Sequence, residues 1–444
     1  MMGSVATDEL RSRIAYLHRR LGFGARPDEL DAAVAAGYDD TVERLLDLSA
    51  IDGADSLPRP TFTAPLAASA LPADPTARRA AQQKEQKTQR DEAVALGQWW
   101  VQRMAASTTP FRERLALFWH GHFATSVQKV KLPELMYRQN EIFRTAGAGS
   151  FETLTQTSSK DPAMLIWLDS NDNRKQSPNE NFARELFELF TLGIGNYTEA
   201  DIKDSARAFT GWQYVRARDA FAIAPNLHDT GMKTVLGQTG NLGGEDVVRI
   251  ATRTPASAAF VAAKLFSHFA RPVATTDPVV KDLAAGFAKD LDVGNLVRAM
   301  VHHPEFLAPA SRSGLVKEPI VYVAGTLRAL NLRANAPGVG VDATLNALGQ
   351  APFAPPNVGG WPQNGYWLTT SFALSRLKFA SAVAQRADLK AVSSVAAADR
   401  PAAAARLLAV DGWSPTTAAA LAKAAGDPRA LMTLALVAPE YLLA

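Results

Sequence analysis

The sequence predicts a mostly α-helical globular fold, and three observations lead to this class. Apolar residues recur at three- and four-residue steps through most of the chain, as the buried face of an amphipathic helix requires. The composition, 47% hydrophobic and 20% charged, is that of an ordinary globular protein and excludes disorder across the whole chain. Only residues 211–244 have a pattern typical of strands, while the other non-helical stretches read as Pro-rich loops. We therefore expect one large multi-helix domain over residues 1–444.

The first half of the chain contains the clearest helical patterns. Leu10, Ile14, Leu17 and Leu21 fall on one helical face, and the glycines that follow end this first helix. Further helices are predicted over residues 27–36, 77–106, 111–123, 132–145 and 180–192. Residues 52–75 are rich in Pro and Ala without any period, so a flexible loop is predicted there.

The second half is more varied. Thr198 is predicted to cap a helix over residues 199–209, because its hydroxyl can accept from amides of the first turn. Aromatic and β-branched residues followed by five glycines predict a small hairpin or ordered loop within 211–244. Residues 335–370 are again Pro- and Gly-rich and predict irregular loops. The tail from about residue 382 is predicted to be Ala-rich helix.

Charge and cysteine content exclude several classes of protein. Net charge is only +3, from 47 basic and 44 acidic residues, and the basic residues are spread out, so we do not expect a nucleic-acid partner. The chain has no cysteine, which excludes disulfides, thiolate metal sites and cysteine nucleophiles. No uncharged apolar run is long enough to span a bilayer. Residues 1–13 do not resemble a signal peptide, so the sequence as given predicts a cytoplasmic protein; an extracytoplasmic location stays open if the sequence has been trimmed.

The most informative segment is residues 178–193, P-N-E-N-F-A-R-E-L-F-E-L-F-T-L-G. On a helix its phenylalanines and leucines share one side, while Asn181, Arg184, Glu185 and Glu188 share the other. Asn181, Glu185 and Glu188 are spaced at i, i+4 and i+7, which lets their side chains converge on one ligand. The alternative is a solvated helix face with an Arg184–Glu188 ion pair.

Two histidines form a second candidate, in W-H-G-H-F at residues 119–123. Imidazole is a common metal ligand and the usual general base near pH 7. In an unbroken helix His120 and His122 would point about 200° apart, so both reach one site only if the helix ends near Gly121. The alternative is that each is a hydrogen-bonded core residue.

A third candidate is H-D-T-G-M-K at residues 228–233, where His228, Asp229 and Lys233 could offer a base, a carboxylate and a cation to one substrate. Loops of this composition also arise as turns in which Asp bonds nearby amides. Asp161 is a further polar candidate that precedes the long motif.

Several common enzyme signatures are missing from the sequence. It contains no phosphate-binding G-x-x-x-x-G-K-[ST] and no G-x-G-x-x-G that opens a helix after a strand. It also lacks H-E-x-x-H, a G-x-S-x-G elbow and the E-x-x-H pairs of di-iron bundles. Each absence removes a familiar class of enzyme.

Taken together, the motifs resemble a bacterial family catalogued as domain of unknown function 1800, over essentially the full chain. The matching segments are residues 17–27 (L-H-R-R-L-G-F-G-A-R-P), 119–126 (W-H-G-H-F-A-T-S), 179–193, 196–201 (N-Y-T-E-A-D), 206–212 (A-R-A-F-T-G-W), 228–237 (H-D-T-G-M-K-T-V-L-G) and 355–362 (P-P-N-V-G-G-W-P). The resemblance implies a large, predominantly helical protein, often exported and often encoded beside sulfatase-like partners. Many members have Asn where this chain has Gly121. The resemblance implies no particular reaction.

Two functions follow as hypotheses. The first is a hydrolase, with a divalent metal ion as one option, in which His120, His122, Asp161, Asn181, Arg184, Glu185, His228, Asp229 and Lys233 line one polar cleft. Its expected substrate is a polar molecule such as a carbohydrate polymer, with Trp361, Tyr366 and Trp367 as a stacking platform; core filling is the alternative for these rings. The second hypothesis is a non-catalytic helical scaffold, or an assembly or export partner, in which the charged motif fixes helix packing.

Overall fold

The apolar periodicity near the N-terminus produces a helix with a fully buried inward face. In the computed structural model, which describes residues 2–66 and 70–443, Ile14, Leu17 and Leu21 are inaccessible to solvent. Gly24, with φ of +88°, directs the chain into the next helix, whose first residue is Pro27. Proline is tolerated there because the first amides of a helix have no intrahelical partner.

Helices recur through the described residues, which form 25 α-helices. The first thirteen are α1 (Met2–Leu21), α2 (Pro27–Ala36), α3 (Tyr38–Leu46), α4 (Pro75–Ala106), α5 (Pro110–His122), α6 (Val127–Val130), α7 (Pro133–Ala146), α8 (Phe151–Ser159), α9 (Pro162–Trp167), α10 (Asn181–Glu185), α11 (Glu199–Ala208), α12 (Gly244–Thr252) and α13 (Pro255–Phe269). The others are α14 (Pro278–Phe287), α15 (Val293–His302), α16 (Pro304–Leu307), α17 (Pro309–Arg312), α18 (Pro319–Ala329), α19 (Val341–Ala347), α20 (Thr370–Ala384), α21 (Lys390–Ser393), α22 (Arg400–Leu407), α23 (Pro415–Ala424), α24 (Pro428–Leu436) and α25 (Pro439–Leu442). The predicted mostly α-helical class is confirmed.

Strands occur only between α11 and α12 in the described ranges. Strand β1 (Trp212–Val215) pairs antiparallel with β2 (Ala220–Ile223), and β3 (Lys233–Val235) pairs antiparallel with β4 (Gln238–Gly240). The predicted hairpin region is therefore confirmed, as two small hairpins. Trp212 opens the first strand and packs edge-on against Phe209, with ring centres 5.1 Å apart, which fastens the first hairpin to the end of α11.

The helix predicted over 180–192 is interrupted. After α10 the chain widens into a π-helix at Leu186–Thr191, in which the Leu192 amide donates to the Phe187 carbonyl at 2.8 Å. A π-turn inserts one extra residue and rotates the side chains that follow it. Leu192, which a regular α-helix would place on the polar side, is consequently buried.

The predicted loops contain some regular structure. A 3-10 turn forms at Gly53–Ser56, and Asp52 fixes it by accepting from the Ala54 amide and the Ser107 hydroxyl. Residues 67–69 of the loop predicted over 52–75 lie outside the described residues. Within 335–370 the chain forms α19 and a 3-10 turn at Asn364–Trp367, and is otherwise irregular.

Helix α5 lies at the centre of the core, since almost all of its residues are buried. The buried apolar side chains around it form one contiguous cluster that runs from Ile14 to Tyr441. None of the helices formed by residues 2–66 and 70–443 combines the length and the apolarity needed to cross a bilayer.

The burial of α5 takes a carboxylate into the core. Glu113 is fully buried and accepts hydrogen bonds from Arg103 Nε at 2.6 Å, Arg144 Nε at 2.6 Å and Trp100 Nε1 at 2.9 Å. Burial opposes ionisation of Glu113, but the Arg144 and Arg103 guanidiniums outweigh it and lower its pKa. This network joins α4, α5 and α7.

Replacing Glu113 by Gln is expected to destabilise the protein by about 3–5 kcal/mol, because Arg103 and Arg144 lose the buried carboxylate that they share while side-chain size is kept. Each guanidinium then keeps a more exposed carboxylate partner, Asp55 and Glu141 respectively. Urea denaturation measures the loss. Asp91→Asn is the control, since Asp91 pairs with Lys87 on the exposed side of α4 and exposed pairs contribute less than about 1 kcal/mol. Equal losses in the two variants would contradict the assigned role of Glu113.

Candidate functional site

A cavity of about 420 Å³ lies where α5, α13 and the start of α18 meet an irregular loop at residues 359–363. Its walls are partly aromatic, through Phe118, Phe260 and Trp361. Its polar lining consists of His122, Lys264, Ser267, His268, Thr275, Glu318 and Gln363. Cavities of this size, with a few converging polar groups on apolar walls, are typical of small-ligand sites.

Helix α13 supplies one wall through simple helical spacing. Phe260, Lys264, Ser267 and His268 occupy positions i, i+4, i+7 and i+8, so that they share one face of the helix. All four line the cavity. Three polar groups are thereby presented together on a rigid element, as a precise site requires.

His268 lies beside the carboxylate of Glu318, the N-cap residue of α18. Its Nδ1 is 3.4 Å from Glu318 Oε1, while Nε2 is buried with no hydrogen-bond partner among the described residues. Burial, followed by the charges of Arg114 and Arg20, lowers the pKa of His268 well below its usual value. Glu318 is itself oriented by Gln350, whose Nε2 donates to Oε2 at 2.9 Å. A proton on Nδ1 facing Glu318 leaves the Nε2 lone pair available as a base.

Lys264 is the second ionisable group on this wall. Its Nζ donates to the Leu189 carbonyl at 3.2 Å and lies 5.0 Å from the centre of the Phe260 ring. Burial lowers the pKa of Lys264 to about 8. A lysine with this pKa can act as a proton donor or acceptor near neutral pH.

His122 enters the cavity from the last turn of α5 and contacts the π-helix. Its Nε2 donates to the Phe190 carbonyl at 2.9 Å, so Nδ1 carries the lone pair, and Nδ1 is buried without a partner among the described residues. Burial, and then the charge of Lys264, lowers the pKa of His122 well below its usual value. The last carbonyls of a helix have no intrahelical partner, so those of Leu189 and Phe190 are free to hold Lys264 and His122.

A glycine contact positions the loop that carries Trp361. Gly360 has φ of +83°, and a Cβ there would overlap the Gly121 carbonyl oxygen. The backbones of Gly360 and Gly121 are therefore in direct contact. The indole of Trp361, the next residue, lines the cavity and packs against His120, with ring centres 5.3 Å apart.

Among the residues predicted to share one cleft, His122 and Trp361 line this cavity. His120 faces the other way, into an aromatic cluster with Trp100 and Phe353, as expected from a regular helix. Both of its ring nitrogens are buried without a partner among the described residues, and burial lowers its pKa to about 3. The two histidines therefore do not converge, because α5 continues as helix through Gly121 to His122.

Asp161 is buried away from the cavity, at the start of α9. Its Oδ1 accepts from Gln139 Nε2 at 2.7 Å and from the Met164 amide at 3.1 Å, which makes it a helix cap. Burial raises its pKa to about 7, against the opposing effect of these hydrogen bonds.

The polar side of the segment 178–193 does not face the cavity. Asn181 is exposed, and Arg184 pairs with Glu199 at 2.8 Å and with Glu180 at 2.9 Å in place of the Arg184–Glu188 pair considered from the sequence. Glu185 is half-buried, and burial together with Glu188 raises its pKa. The motif reaches the cavity through its last carbonyls instead.

The third predicted group is a self-contained loop beside α11. Asp229 accepts from Arg207 Nε at 2.8 Å, which lowers the pKa of Asp229, and Lys233 donates to the Asp229 carbonyl at 2.6 Å. His228 Nδ1 lies 2.8 Å from the Thr210 carbonyl. Asp229 Oδ1 also accepts from the Gly231 amide at 2.8 Å, which is the turn contact given as the alternative for this loop.

The remaining aromatic residues do not form a shared platform with Trp361. Trp367 is fully buried against Phe372, whereas Tyr366 is 57% exposed and stands perpendicular to Trp367. Neither lines the cavity. In residues 2–66 and 70–443, no group of three or more His, Asp or Glu side chains is arranged to hold a metal ion.

Sequence reasoning missed Lys264, Ser267, His268 and Glu318. The K-x-x-S-H spacing on a helix with Phe260 four residues earlier was a usable signal, since it places three polar groups on one otherwise apolar face. Glu318 had no such signal, because its proximity to His268 depends on how α13 and α18 pack.

Comparison with known proteins gives a family and nothing finer. Residues 16–443 match the family described as "Protein of unknown function (DUF1800)". No curated protein and no solved structure matches the chain.

Gly360→Ala is expected to lower the stability by about 1–3 kcal/mol, because the new methyl group meets the Gly121 carbonyl and the backbone is strained. Thermal unfolding measures the change. Gly359→Ala is the matched control: its Cβ would lie 3.1 Å from the flexible Asn357 side chain, and its backbone is ordinary. If the two variants melt together, the backbone contact does not hold the loop.

The raised pKa of Asp161 predicts a pH dependence of folding. Between its ordinary pKa of 3.8 and its folded pKa of about 7, the folded protein holds a proton that the unfolded chain has released. This contribution to stability is thus full below pH 4, falls as the pH rises towards 7 and then stays level. Asp161→Asn keeps the cap and removes the proton, so its stability relative to wild type should be higher at pH 8 than at pH 4.

Urea denaturation at the two pH values tests this dependence, with the exposed Asp172→Asn as control. Parallel pH profiles for wild type and Asp161→Asn would contradict it.

Proposed function

The chain belongs to the DUF1800 family, and because this membership assigns no reaction, we propose from the cavity itself that the protein is a hydrolase acting on a polar substrate. The substrate enters the cavity between α5, α13 and α18. His268, Glu318 and Lys264 provide the acid–base chemistry.

The observation that carries the proposal is the convergence of a carboxylate–imidazole pair and an ammonium with a lowered pKa on one cavity. His268 and Glu318 are 3.4 Å apart, and the pKa of Lys264 is about 8. Titratable groups whose pKa values are shifted by burial within a cleft are characteristic of active sites. Structural ion pairs, in contrast, usually match every charge with an opposite one.

In the proposed reaction His268 Nε2 accepts a proton from a water molecule. The water oxygen then bonds to the electrophilic atom of the substrate, and the bond to the leaving group breaks. The leaving group takes its proton from the Lys264 ammonium, and solvent restores both residues. Glu318 keeps the imidazole oriented and stabilises the imidazolium that forms.

A polar substrate such as a carbohydrate polymer fits the lining. Trp361 and Phe260 offer apolar rings beside His122, Ser267 and Gln363, and sugars present both apolar faces and hydroxyl groups. The metal-assisted form of the hydrolase hypothesis is tested separately by elemental analysis of the purified protein, with His122→Ala for comparison.

The non-catalytic alternative is favoured by one specific observation. The polar residues of two motifs form mutual pairs, Arg184 with Glu180 and Glu199, and Asp229 with Arg207. Such pairs fix the packing of helices and loops. As a scaffold or an assembly partner, the protein would use these motifs for shape alone.

Hydrolysis of a panel of nitrophenyl esters, glycosides, phosphates and sulfates tests the enzyme proposal. Wild type is expected to turn over at least one class. His268→Asn should lower that rate by about 10²–10⁴-fold, the usual contribution of a general base, and Glu318→Gln should lower it less.

His302→Asn is the matched control, because His302 is exposed on α15. Thermal unfolding must show that all variants are folded. Hydrolysis that never exceeds the solvent rate, or a wild-type rate in His268→Asn, would contradict the proposal in favour of the scaffold.

A further inference from the structure

A small recess opens beside the cavity and is lined by cations. Its volume is about 20 Å³, and it shares Ser267, His268, Glu318 and Gln363 with the larger cavity. The other polar side chains that line it are those of Arg20, Arg114, Lys317 and Asn364. The recess and the larger cavity are therefore neighbours that share one wall.

The positive charge around the recess exceeds the negative charge. Arg20, Arg114 and Lys317 are 1%, 5% and 8% exposed, and among the described residues Glu318 is the one carboxylate that lines the recess. Glu318 is already engaged by Gln350 and contacts His268. Buried cations normally have a counter-charge, since burial of an unpaired charge is costly. Burial, followed by the charges of Arg19 and Arg20, accordingly lowers the pKa of Lys317 well below its usual value, and an anion bound beside Lys317 would favour its ammonium form.

Aromatic rings hold these cations in place without neutralising them. The Arg20 guanidinium lies 4.8 Å from the Tyr16 ring centre, that of Arg114 lies 5.6 Å from Phe269, and Lys317 Nζ lies 3.6 Å from Tyr441. Cation–π contacts position a charge, yet they leave its N–H groups free to donate to another ligand.

Unpartnered donors remain at the recess. Arg114 donates through Nε to the Arg20 carbonyl at 3.2 Å, but its Nη1 is buried with no partner in the described part of the chain. Arg20 Nε and Nη1 are buried and unpartnered in the same way. Buried polar groups of this kind point to a missing ligand.

We propose that this recess binds the anionic group of the substrate, a carboxylate, a sulfate ester or a phosphate ester, while the uncharged part lies in the larger cavity. A space of this size holds about one water-sized group, so it takes one oxygen of the anion. Arg114 and Lys317 donate to this oxygen, as guanidinium and ammonium groups do in charge-assisted hydrogen bonds. The inference deepens the proposed function, since it assigns the substrate of the same cavity to the anionic class.

Isothermal titration calorimetry with methyl sulfate, methyl phosphate and glucuronate tests the proposal, at constant ionic strength and with glucose as the uncharged comparison. At least one anion is expected to bind with a Kd below about 1 mM and more tightly than glucose. The three arms identify which anionic group the recess selects. Binding is measured without turnover, so a negative hydrolysis result leaves this test intact.

Lys317→Met is the central variant, because methionine fills the space without an amine. It is expected to weaken the bound anion at least about tenfold and to leave the melting temperature of the anion-free protein unchanged or higher. Arg114→Lys keeps a charge but loses the forked geometry, and should weaken binding as well. The exposed Lys289→Met on the α14–α15 connection is the matched control and should bind as wild type.

The proposal is overturned if no anion binds better than glucose. It is also overturned if Lys317→Met and Lys289→Met both keep the wild-type affinity, since the anion would then bind elsewhere on the surface.

Discussion

The near-complete burial of α5 is the constraint on which the rest of the structure depends. A buried helix must find partners for its polar side chains inside the protein, and α5 carries four of them. Glu113 is matched by guanidiniums from two neighbouring helices, and His122 by a carbonyl of the π-helix. His120 and Arg114 are left with unpartnered nitrogens. Glu113 organises the core, His122 lines the cavity and Arg114 lines the recess, so one helix connects the stability of the fold with its chemistry.

The burial of charged groups also explains how the recess is related to the cavity. An apolar core tolerates buried cations where aromatic rings stack on them, as Tyr16, Phe269 and Tyr441 do. The rings leave the N–H groups of these cations free to donate to a ligand that binds next to His268. A substrate that brings its own negative charge would complete the site, whereas a neutral one would leave it unbalanced. The acid–base groups and the groups that bind the anion would then line neighbouring spaces.

Much of the fold could be predicted from the sequence, because periodicity and caps are local. The helical class, the region of the hairpins and the capping role of Thr198, which accepts from the Asp201 amide, all follow from neighbouring residues. The cavity could be predicted only in part. His122 and Trp361 lie there, but the contact between His268 and Glu318 joins residues fifty positions apart and depends on helix packing. From the sequence, the side chains of the segment 178–193 were expected to form the site. Because the segment ends in a π-helix, the backbone carbonyls of Leu189 and Phe190 contact the cavity residues instead.

The widened turn at Leu186–Thr191 gives two cavity groups a common support. The carbonyls of Leu189 and Phe190 are neighbours in the chain, and they hold Lys264 and His122 respectively. A change that tightened this turn into ordinary helix would withdraw both acceptors at once. The orientations of the Lys264 amine and the His122 imidazole are therefore coupled through this backbone. The effect of a substitution at either residue should not be additive with the effect of a substitution in the π-helix.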